Sequence, residues 1–408
     1  MALSLTSMAA ALPFTAISAA EDPVAAAEAE LALRPHAQDE VWRTLIAGGL
    51  PLVRPDPEHA DRVRATFLYR GEAESVRLDS VLNAVEVSGP VTDYHRDFAL
   101  AMQRIAGTDI WWRTLSVPAQ VEAVYSYRVE QDGVMRRYSD HANPRRLRGR
   151  DAESVFLASP SNVHPAVRPV SLRQRIAADV FQLDSDWLGR SVEIATYAPG
   201  GAGAEAPVLI IYDSFLWGER APAVEIVQNL ITRERIPPLH VVLIDQLDPG
   251  SAAHLYSDQM GFLLEELDEA LAARGLGGPL LLAGASRRGL VATMAGLQGE
   301  GRIAGVFSLS GSFYWAPDGE EAEWLSRQLA PAPDAAPRFI LSAGTLETVV
   351  TPTTNRGHIM LDTNRNMAAA LQAAGYQAEF HMFEGGHDIA GWRTALALAL
   401  ERYFEPAD

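Results

Sequence analysis

The stretch Pro279–Gly296 constrains the fold of this chain more than any other. A short apolar run ends in Gly284 and Ala285, and a helix-forming segment begins after Ser286. A serine at such a strand-to-helix junction predicts a nucleophile elbow, because the helix that follows offers backbone N–H groups to an oxyanion. This motif normally places glycine two residues after the serine, where this chain has Arg288. The alternative is an ordinary turn whose serine only caps the helix.

Composition narrows the class of protein. The 408 residues are 48% hydrophobic and 21% charged, which is typical of a folded protein with two domains or one large one. The absence of cysteine excludes disulfides, thiolate metal sites and cysteine nucleophiles, and the absence of lysine excludes a Schiff base. A formal charge of −18 argues against nucleic acid and anionic membranes as partners.

Residues 1–20 are apolar and rich in alanine and serine, and they end in the small residues Ser18, Ala19 and Ala20. This ending resembles a signal-peptide cleavage site, yet no positive charge precedes Arg34. We expect a leader and a cytoplasmic protein, with a signal remnant and a periplasmic or secreted protein as the alternative.

The first half of the chain predicts a small domain of β-structure. After a helical lead-in that is rich in alanine, short alternating strands with turn residues between them extend from Arg62 to Val129, with one strand predicted at Val85–Val87. This pattern predicts an immunoglobulin-like β-sandwich over residues 21–150 and a linker over residues 151–172.

The second half, residues 173–408, alternates apolar strands with helical segments. Such alternation predicts a mostly parallel, doubly wound sheet covered by helices on both faces, as in an α/β-hydrolase. In such a sheet the functional groups collect at the carboxyl ends of the strands.

Two of these strand ends supply partners for the serine. His387 lies on a Gly-Gly turn before the final helix, where a general base is expected, and Glu347 follows the preceding strand. The carboxylate would hold the tautomer of the imidazole and stabilise the imidazolium. Asp388, Asp362 and Asp213 compete for this role, and a surface histidine in a flexible loop is the alternative for His387.

The loop Tyr212–Trp217 ends an earlier strand. We expect the backbone N–H of Ser214 or Phe215, beside that of Arg287, to complete an oxyanion hole. A plain turn with a capping aspartate is the alternative reading of this loop.

Aromatic side chains suggest a substrate pocket. Tyr314 and Trp315 follow the strand after the elbow and predict an aromatic wall, although adjacent aromatic residues also fit a core. Asp213 and Trp217 from the earlier loop and Arg288 from the elbow complete the predicted set of substrate-binding residues. No metal or organic cofactor is predicted.

Several segments together resemble the enterochelin (enterobactin) esterases, which are serine hydrolases of ferric catecholate siderophores within the esterase D group. The resemblance covers most of the chain from about Arg62 onward. Its blocks are Thr66–Arg70, Gly107–Trp111, Asn143–Pro144, Leu209–Asp213, Val242–Asp245, Ala283–Leu290, Leu309–Trp315, Ala343–Glu347, Glu384–Asp388 and Trp392–Arg393.

The resemblance implies Ser286 as nucleophile, His387 as base and Glu347 as acid. It also implies hydrolysis of the serine trilactone of a ferric siderophore, with iron arriving as part of a small-molecule substrate. This chain departs from the family at the elbow, where Arg287 and Arg288 replace Phe-Gly. A ferric tricatecholate is anionic and needs cations, which these two arginines could supply; solvated helix arginines are the alternative.

Two other functions fit the same pattern. A carboxylesterase or peptidase of this superfamily would use the same three residues on another acyl substrate. A catalytically silent binding protein would carry the altered elbow without a working oxyanion hole.

Overall fold

The computed structural model describes residues 22–87, 91, 98–148, 153–168, 176–245, 253–299, 301–350 and 357–405. The expected leader, residues 1–20, lies outside them. In the described residues, no helix combines the length and the apolar character needed to span a bilayer.

The N-terminal domain consists of two antiparallel sheets that share one apolar core. One sheet has the order β1-β2-β6-β5 and the other β4-β3-β7-β8, with β9 paired to β7. Buried side chains from both sheets, such as Phe67, Tyr125 and Phe156, fill the space between them. The strands are β1 (Leu52–Pro55), β2 (Arg62–Arg70), β3 (Ser75–Ser80), β4 (Leu100–Ala101), β5 (Gln103–Arg104), β6 (Ile110–Pro118), β7 (Glu122–Gln131), β8 (Val134–Tyr138) and β9 (Ser154–Leu157).

Two helices precede these strands, α1 (Pro23–Leu33) and α2 (Gln38–Ile46). Asp22 caps α1 by accepting a hydrogen bond from Val24 N at 2.9 Å. The apolar side of both helices packs with Leu68 and Ile110 in a separate cluster. The helical lead-in therefore belongs to the N-terminal domain.

Two predictions for this half of the chain are wrong in detail. The strand predicted at Val85–Val87 does not form: Val85 ends a 3₁₀ turn, Val81–Val85, whose start is capped by the Ser80 hydroxyl, which accepts a hydrogen bond from Leu82 N. The predicted linker contains β9, which adds a strand to the sheet because Val124 and Val155 pair in antiparallel register.

The second domain contains one eight-stranded mixed sheet with the order β10-β11-β13-β12-β14-β15-β16-β17. The first two pairings along this order are antiparallel and the remaining five are parallel. The strands are β10 (Asp179–Ser185), β11 (Arg190–Tyr197), β12 (Val208–Tyr212), β13 (His240–Ile244), β14 (Leu280–Ala285), β15 (Ile303–Leu309), β16 (Arg338–Gly344) and β17 (Ala378–Phe383).

Helices cover both faces of this sheet. Successive residues of β12 enter different clusters, Ile210 on one face and Ile211 on the other, which explains its continuous apolar run. The helices are α3 (Ala223–Thr232), α4 (Ala253–Gly261), its continuation through a π-turn (Phe262–Leu267) into α5 (Asp268–Ala272), α6 (Arg287–Gln298), α7 (Trp324–Arg327), α8 (Met360–Ala373) and α9 (Ile389–Phe404).

Candidate active site

Ser286 occupies a strained turn between β14 and α6. Its backbone has φ 58° and ψ −124°, a conformation that costs a residue with a side chain on the order of 1–3 kcal/mol. Its N–H donates to Leu309 O at 2.9 Å, and its carbonyl accepts from Ser312 N at 3.1 Å. Neighbouring strand ends thus hold the serine in this conformation.

The glycine that this turn requires is Gly289, three residues after the serine. A Cβ atom at that position would lie 2.6 Å from Ser308 Oγ and 3.0 Å from Gly284 O, so only glycine lets the helix approach the sheet this closely. Arg288 is half-buried and does not occupy this contact. The atypical spacing of the motif is therefore compatible with a sharp elbow.

The structure brings three predicted residues from three strand ends into one chain of contacts. His387 Nε2 lies 2.9 Å from Ser286 Oγ. His387 Nδ1 lies 3.3 Å from Glu347 Oε2. These distances allow proton transfer from the serine hydroxyl to the imidazole, with a carboxylate behind the imidazole.

Glu347 is anchored by groups that the sequence did not indicate. Its side chain is 1% exposed, and Oε1 accepts hydrogen bonds from Gly344 N at 3.0 Å and from the Ser310 hydroxyl. Ser310 in turn accepts from Trp392 Nε1 at 2.9 Å. The ring of Trp392 meets the ring of His387 edge-on, with 5.0 Å between centroids. Ser310 and Ser312 lie in a serine- and glycine-rich segment, and nothing in the sequence distinguishes them from ordinary turn residues.

The competing carboxylates have other partners. Asp362 pairs with Arg365 at 3.0 Å on the surface, and Asp213 Oδ1 accepts from Leu216 N at 3.0 Å. Asp388 caps α9 by accepting from Ala390 N at 2.8 Å. Glu347 is accordingly the carboxylate that contacts the imidazole.

Asp388 has an unusual environment. Burial raises the pKa of its carboxyl from 3.8 to about 6, although backbone N–H donors and Arg393 oppose the shift. One of these donors, Val124 N, belongs to the N-terminal domain and lies 2.8 Å from Asp388 Oδ2. The residue next to the histidine therefore connects the two domains.

The predicted oxyanion donors lie on two segments. Arg287 is the first residue of α6, and the backbone N–H groups at a helix N-terminus favour negative charge. Asp213, with φ 76°, turns the chain after β12 into a π-helical segment, Phe215–Arg220, which Ser214 precedes. Phe215 is 50% exposed. Ser312 Oγ, which the sequence did not single out, lies 3.5 Å from Ser286 Oγ.

The prediction that Trp217 binds substrate is wrong. Trp217 is fully buried and packs in the apolar cluster beneath the sheet, so its indole has no surface to offer a substrate. Of the two residues predicted to form the aromatic wall, Trp315 lies beside a cavity. The ring of Trp315 contacts that of Tyr256 in a tilted arrangement, with 4.5 Å between centroids, and that of Trp324 edge-on at 5.9 Å. These three residues line a cavity of about 510 Å³.

Two further predicted substrate-binding residues and the predicted oxyanion donor Arg287 differ in exposure. Tyr314 and Arg288 are half-buried, and the Arg287 side chain is exposed. One carboxylate oxygen of Asp213 accepts a hydrogen bond from Leu216 N within its own turn.

A mixed, mostly parallel sheet that presents serine, histidine and glutamate at its carboxyl edge defines an α/β esterase. Two family models match this chain. The one described as "Putative esterase" matches residues 185–403, which is more than half of the chain. The one described as "Enterochelin esterase, N-terminal" matches residues 64–180. The chain belongs to the enterochelin esterase family and is a carboxylic ester hydrolase, as the sequence motifs predicted.

Curated relatives match almost the whole chain. The iron(III) enterobactin esterase of Escherichia coli K12 is 26% identical over 379 residues, which cover 84% of this chain and 91% of the relative. The iron(III) salmochelin esterase of Escherichia coli O6:H1 (strain CFT073) is 25% identical, covering 88% of this chain and 91% of the relative.

A solved structure shares the fold. The enterobactin esterase of Shigella flexneri, crystallised in the presence of enterobactin, superposes with a TM-score of 0.71 at 22% identity. The match covers 91% of this chain and 99% of that protein. Both domains of this chain therefore have counterparts in one known protein.

Proposed function

We propose that this protein hydrolyses the ester bonds of an iron(III)-loaded catecholate siderophore of the enterobactin type. The observation that carries this proposal is the chain of contacts from Ser286 through His387 to Glu347, in a protein that aligns along most of its length with esterases named for enterobactin and salmochelin. Iron enters as part of the substrate. On this reading the sheet is that of an α/β-hydrolase and the N-terminal domain is an immunoglobulin-like sandwich.

The first half of the reaction acylates the serine. Ser286 Oγ attacks the ester carbonyl while His387 Nε2 takes the hydroxyl proton, and Glu347 stabilises the imidazolium. The backbone N–H of Arg287, with that of Ser214 or Phe215, would bind the oxyanion. When the tetrahedral intermediate collapses, the imidazolium returns the proton to the departing serine hydroxyl of the lactone.

The second half releases the product acid. A water molecule attacks the acyl-enzyme, and His387 takes its proton before passing it to Ser286 Oγ. One turnover therefore consumes one water and opens one ester bond. Repeated turnovers on a trilactone would give linear trimer, dimer and monomer.

Recognition of an anionic substrate requires local positive charge, which the overall charge of −18 does not supply. We assign this role to Arg287, which is exposed, and Arg288, which is half-buried, because both begin the helix that follows the nucleophile. The positive end of the helix dipole adds to their field. Tyr314 and Phe215 are the aromatic candidates for contact with the catechol rings.

Mass spectrometry tests the proposal directly. The purified protein and a Ser286→Ala variant are incubated with ferric and with iron-free enterobactin. We expect linear trimer, dimer or monomer of dihydroxybenzoyl-serine from the wild type and none from the variant. If enterobactin stays intact while p-nitrophenyl butyrate is cleaved through Ser286, the enzyme is a carboxylesterase for another acyl substrate. If a fluorophosphonate probe does not label Ser286, the protein is a silent binder.

A further inference from the structure

The turn that carries His387 lies against the N-terminal domain. Glu122 N donates to Glu384 O at 3.3 Å, before the histidine, and Val124 N donates to Asp388 Oδ2 at 2.8 Å, after it. Both donors are at the start of β7. Two hydrogen bonds from one strand of the sandwich therefore bracket the histidine of the other domain.

The same turn is packed closely against that domain. A Cβ atom on Gly386 would lie 2.6 Å from Val81 Cβ, and one on Gly385 would lie 3.2 Å from Glu122 O. The two glycines that precede His387 thus leave just enough room for the sandwich to touch the turn. A larger residue at Gly386 would force the two domains apart.

Buried polar groups extend this contact along α9, the helix that begins after Asp388. Glu122 is 7% exposed, and its Oε1 accepts from Thr394 Oγ1 at 3.2 Å. Arg393 approaches Glu122 Oε2 at 3.7 Å. Burial raises the pKa of Glu122, while the positive charge of Arg393 opposes that shift. Arg393 also faces Asp388, and its positive charge opposes the rise that burial causes in the pKa of that carboxyl.

The imidazole needs this support. A Gly-Gly turn has more conformational freedom than any other pair of residues, and the 3.3 Å contact with Glu347 is long for a hydrogen bond that must orient a ring. A displacement of about 1 Å of a reacting group can cost about 100-fold in rate.

We propose that the N-terminal domain positions the general base, because the start of β7 holds the His387 turn through the Asp388 carboxylate. This inference rests on the assignment of His387 as base in the proposed function. Asp388 is then a positioning residue, and the contact between domains determines kcat in addition to any role of the sandwich in substrate binding.

Two substitutions of Asp388 keep the cap of α9 and remove the hydrogen bond from Val124 N. Serine is a good helix N-cap, so Asp388→Ser keeps the cap of α9 but is too short to reach Val124 N. Asparagine is also a good N-cap: its amide oxygen would accept from Ala390 N, and its NH₂ group would face the Val124 N–H, which can only donate, so Asp388→Asn keeps the length of the side chain and also loses the bond from β7. The control is Arg148→Gln, which breaks a different contact between the domains: Arg148 pairs with Glu225 of α3 at 2.6 and 3.1 Å and does not touch the His387 turn.

The assay is steady-state hydrolysis of p-nitrophenyl butyrate, a neutral ester, with folding checked by circular dichroism and melting temperature. We expect Asp388→Ser to lower kcat about 10- to 100-fold with KM within about twofold. We expect Asp388→Asn to lose kcat to a similar extent, because it also lacks an acceptor for Val124 N, and Arg148→Gln to retain kcat within about twofold.

Three results would overturn the inference: a folded Asp388→Ser with wild-type kcat, a loss found only in KM, or an equal loss in Arg148→Gln. If Asp388→Ser does not fold, Asp388→Asn provides the test. Wild-type kcat in that variant would show that the hydrogen bond accepted by the Asp388 carboxylate from Val124 N does not position His387. Failure of the siderophore proposal is distinct, since it would leave the neutral ester cleaved through Ser286 and enterobactin intact.

Discussion

Replacing Glu347 by glutamine should stop the enzyme while leaving it folded. In the wild type, Oε1 accepts from Gly344 N at 3.0 Å and Oε2 faces His387 Nδ1 at 3.3 Å. Because the Gly344 N–H can only donate, the amide oxygen of glutamine must occupy the Oε1 position. The amide NH₂ then faces His387 Nδ1.

This orientation reverses the tautomer of the imidazole. Nδ1 becomes an acceptor and the ring proton moves to Nε2, the atom that lies 2.9 Å from Ser286 Oγ. Nε2 can then no longer accept the serine proton. The corresponding change from carboxylate to amide in a serine protease lowers kcat about 10⁴-fold, which is about 5.5 kcal/mol of transition-state stabilisation. We expect a loss of similar size here.

The assay is turnover of ferric enterobactin and of p-nitrophenyl butyrate, with the unfolding free energy measured in urea. Both side-chain positions keep a partner in Glu347→Gln, so we expect the unfolding free energy to change by less than about 1 kcal/mol. Asp362→Asn, the same chemical change at an exposed carboxylate paired with Arg365, serves as control and should stay fully active. A folded Glu347→Gln that keeps more than about a tenth of wild-type kcat would refute the tautomer reasoning.

Three further predictions concern the surroundings of the site. Ser310→Ala removes the hydroxyl between Glu347 and Trp392 and leaves the buried indole N–H of Trp392 without a partner. The unfolding free energy measured in urea should fall by about 1–3 kcal/mol. We expect kcat to fall about tenfold, because Glu347 loses one of its anchors. Wild-type stability and turnover in this variant would contradict that role. Because the Trp217 indole is fully buried, Trp217→Ala should lower the unfolding free energy by about 3–5 kcal/mol without a selective change in KM. A rise in KM with little loss of stability would instead show that Trp217 contacts the substrate. In the folded protein Asp388 keeps its proton up to about pH 6, whereas in the unfolded chain it releases the proton near pH 3.8. The protonated carboxyl therefore adds to the unfolding free energy fully below about pH 3.8, and this contribution is lost as pH rises through about 6. The unfolding free energy of the wild type, measured relative to Asp388→Asn, should therefore fall by up to about 3 kcal/mol between about pH 4 and pH 7, and a pH-independent difference would contradict the raised pKa.

Local patterns along the chain predicted the elements that position the site. The apolar run before Ser286, the Gly-Gly turn before His387 and the carboxylate after β16 each sit where a parallel sheet collects its strand ends, because strand and helix periods can be read from neighbouring residues. The chemistry expected at Ser286, His387 and Glu347 followed from that placement. The family resemblance rested on these segments and on others, including Thr66–Arg70 and Gly107–Trp111 in the N-terminal half.

Contacts between distant segments could not be predicted in this way. Trp217 follows a strand end just as Trp315 does, and only the packing of α3 on the sheet decides that its ring is buried. Gly289 can take the place of the expected elbow glycine because Ser308, on another strand, fixes how closely the helix approaches.

The support of the histidine turn by the other domain has the same origin. Asp388 looks like a helix cap in sequence, and its second oxygen meets Val124, 264 residues earlier in the chain. Short-range periodicity determines elements and their order, and therefore the chemistry at strand ends. The partners of each side chain depend on long-range packing, which no local pattern encodes.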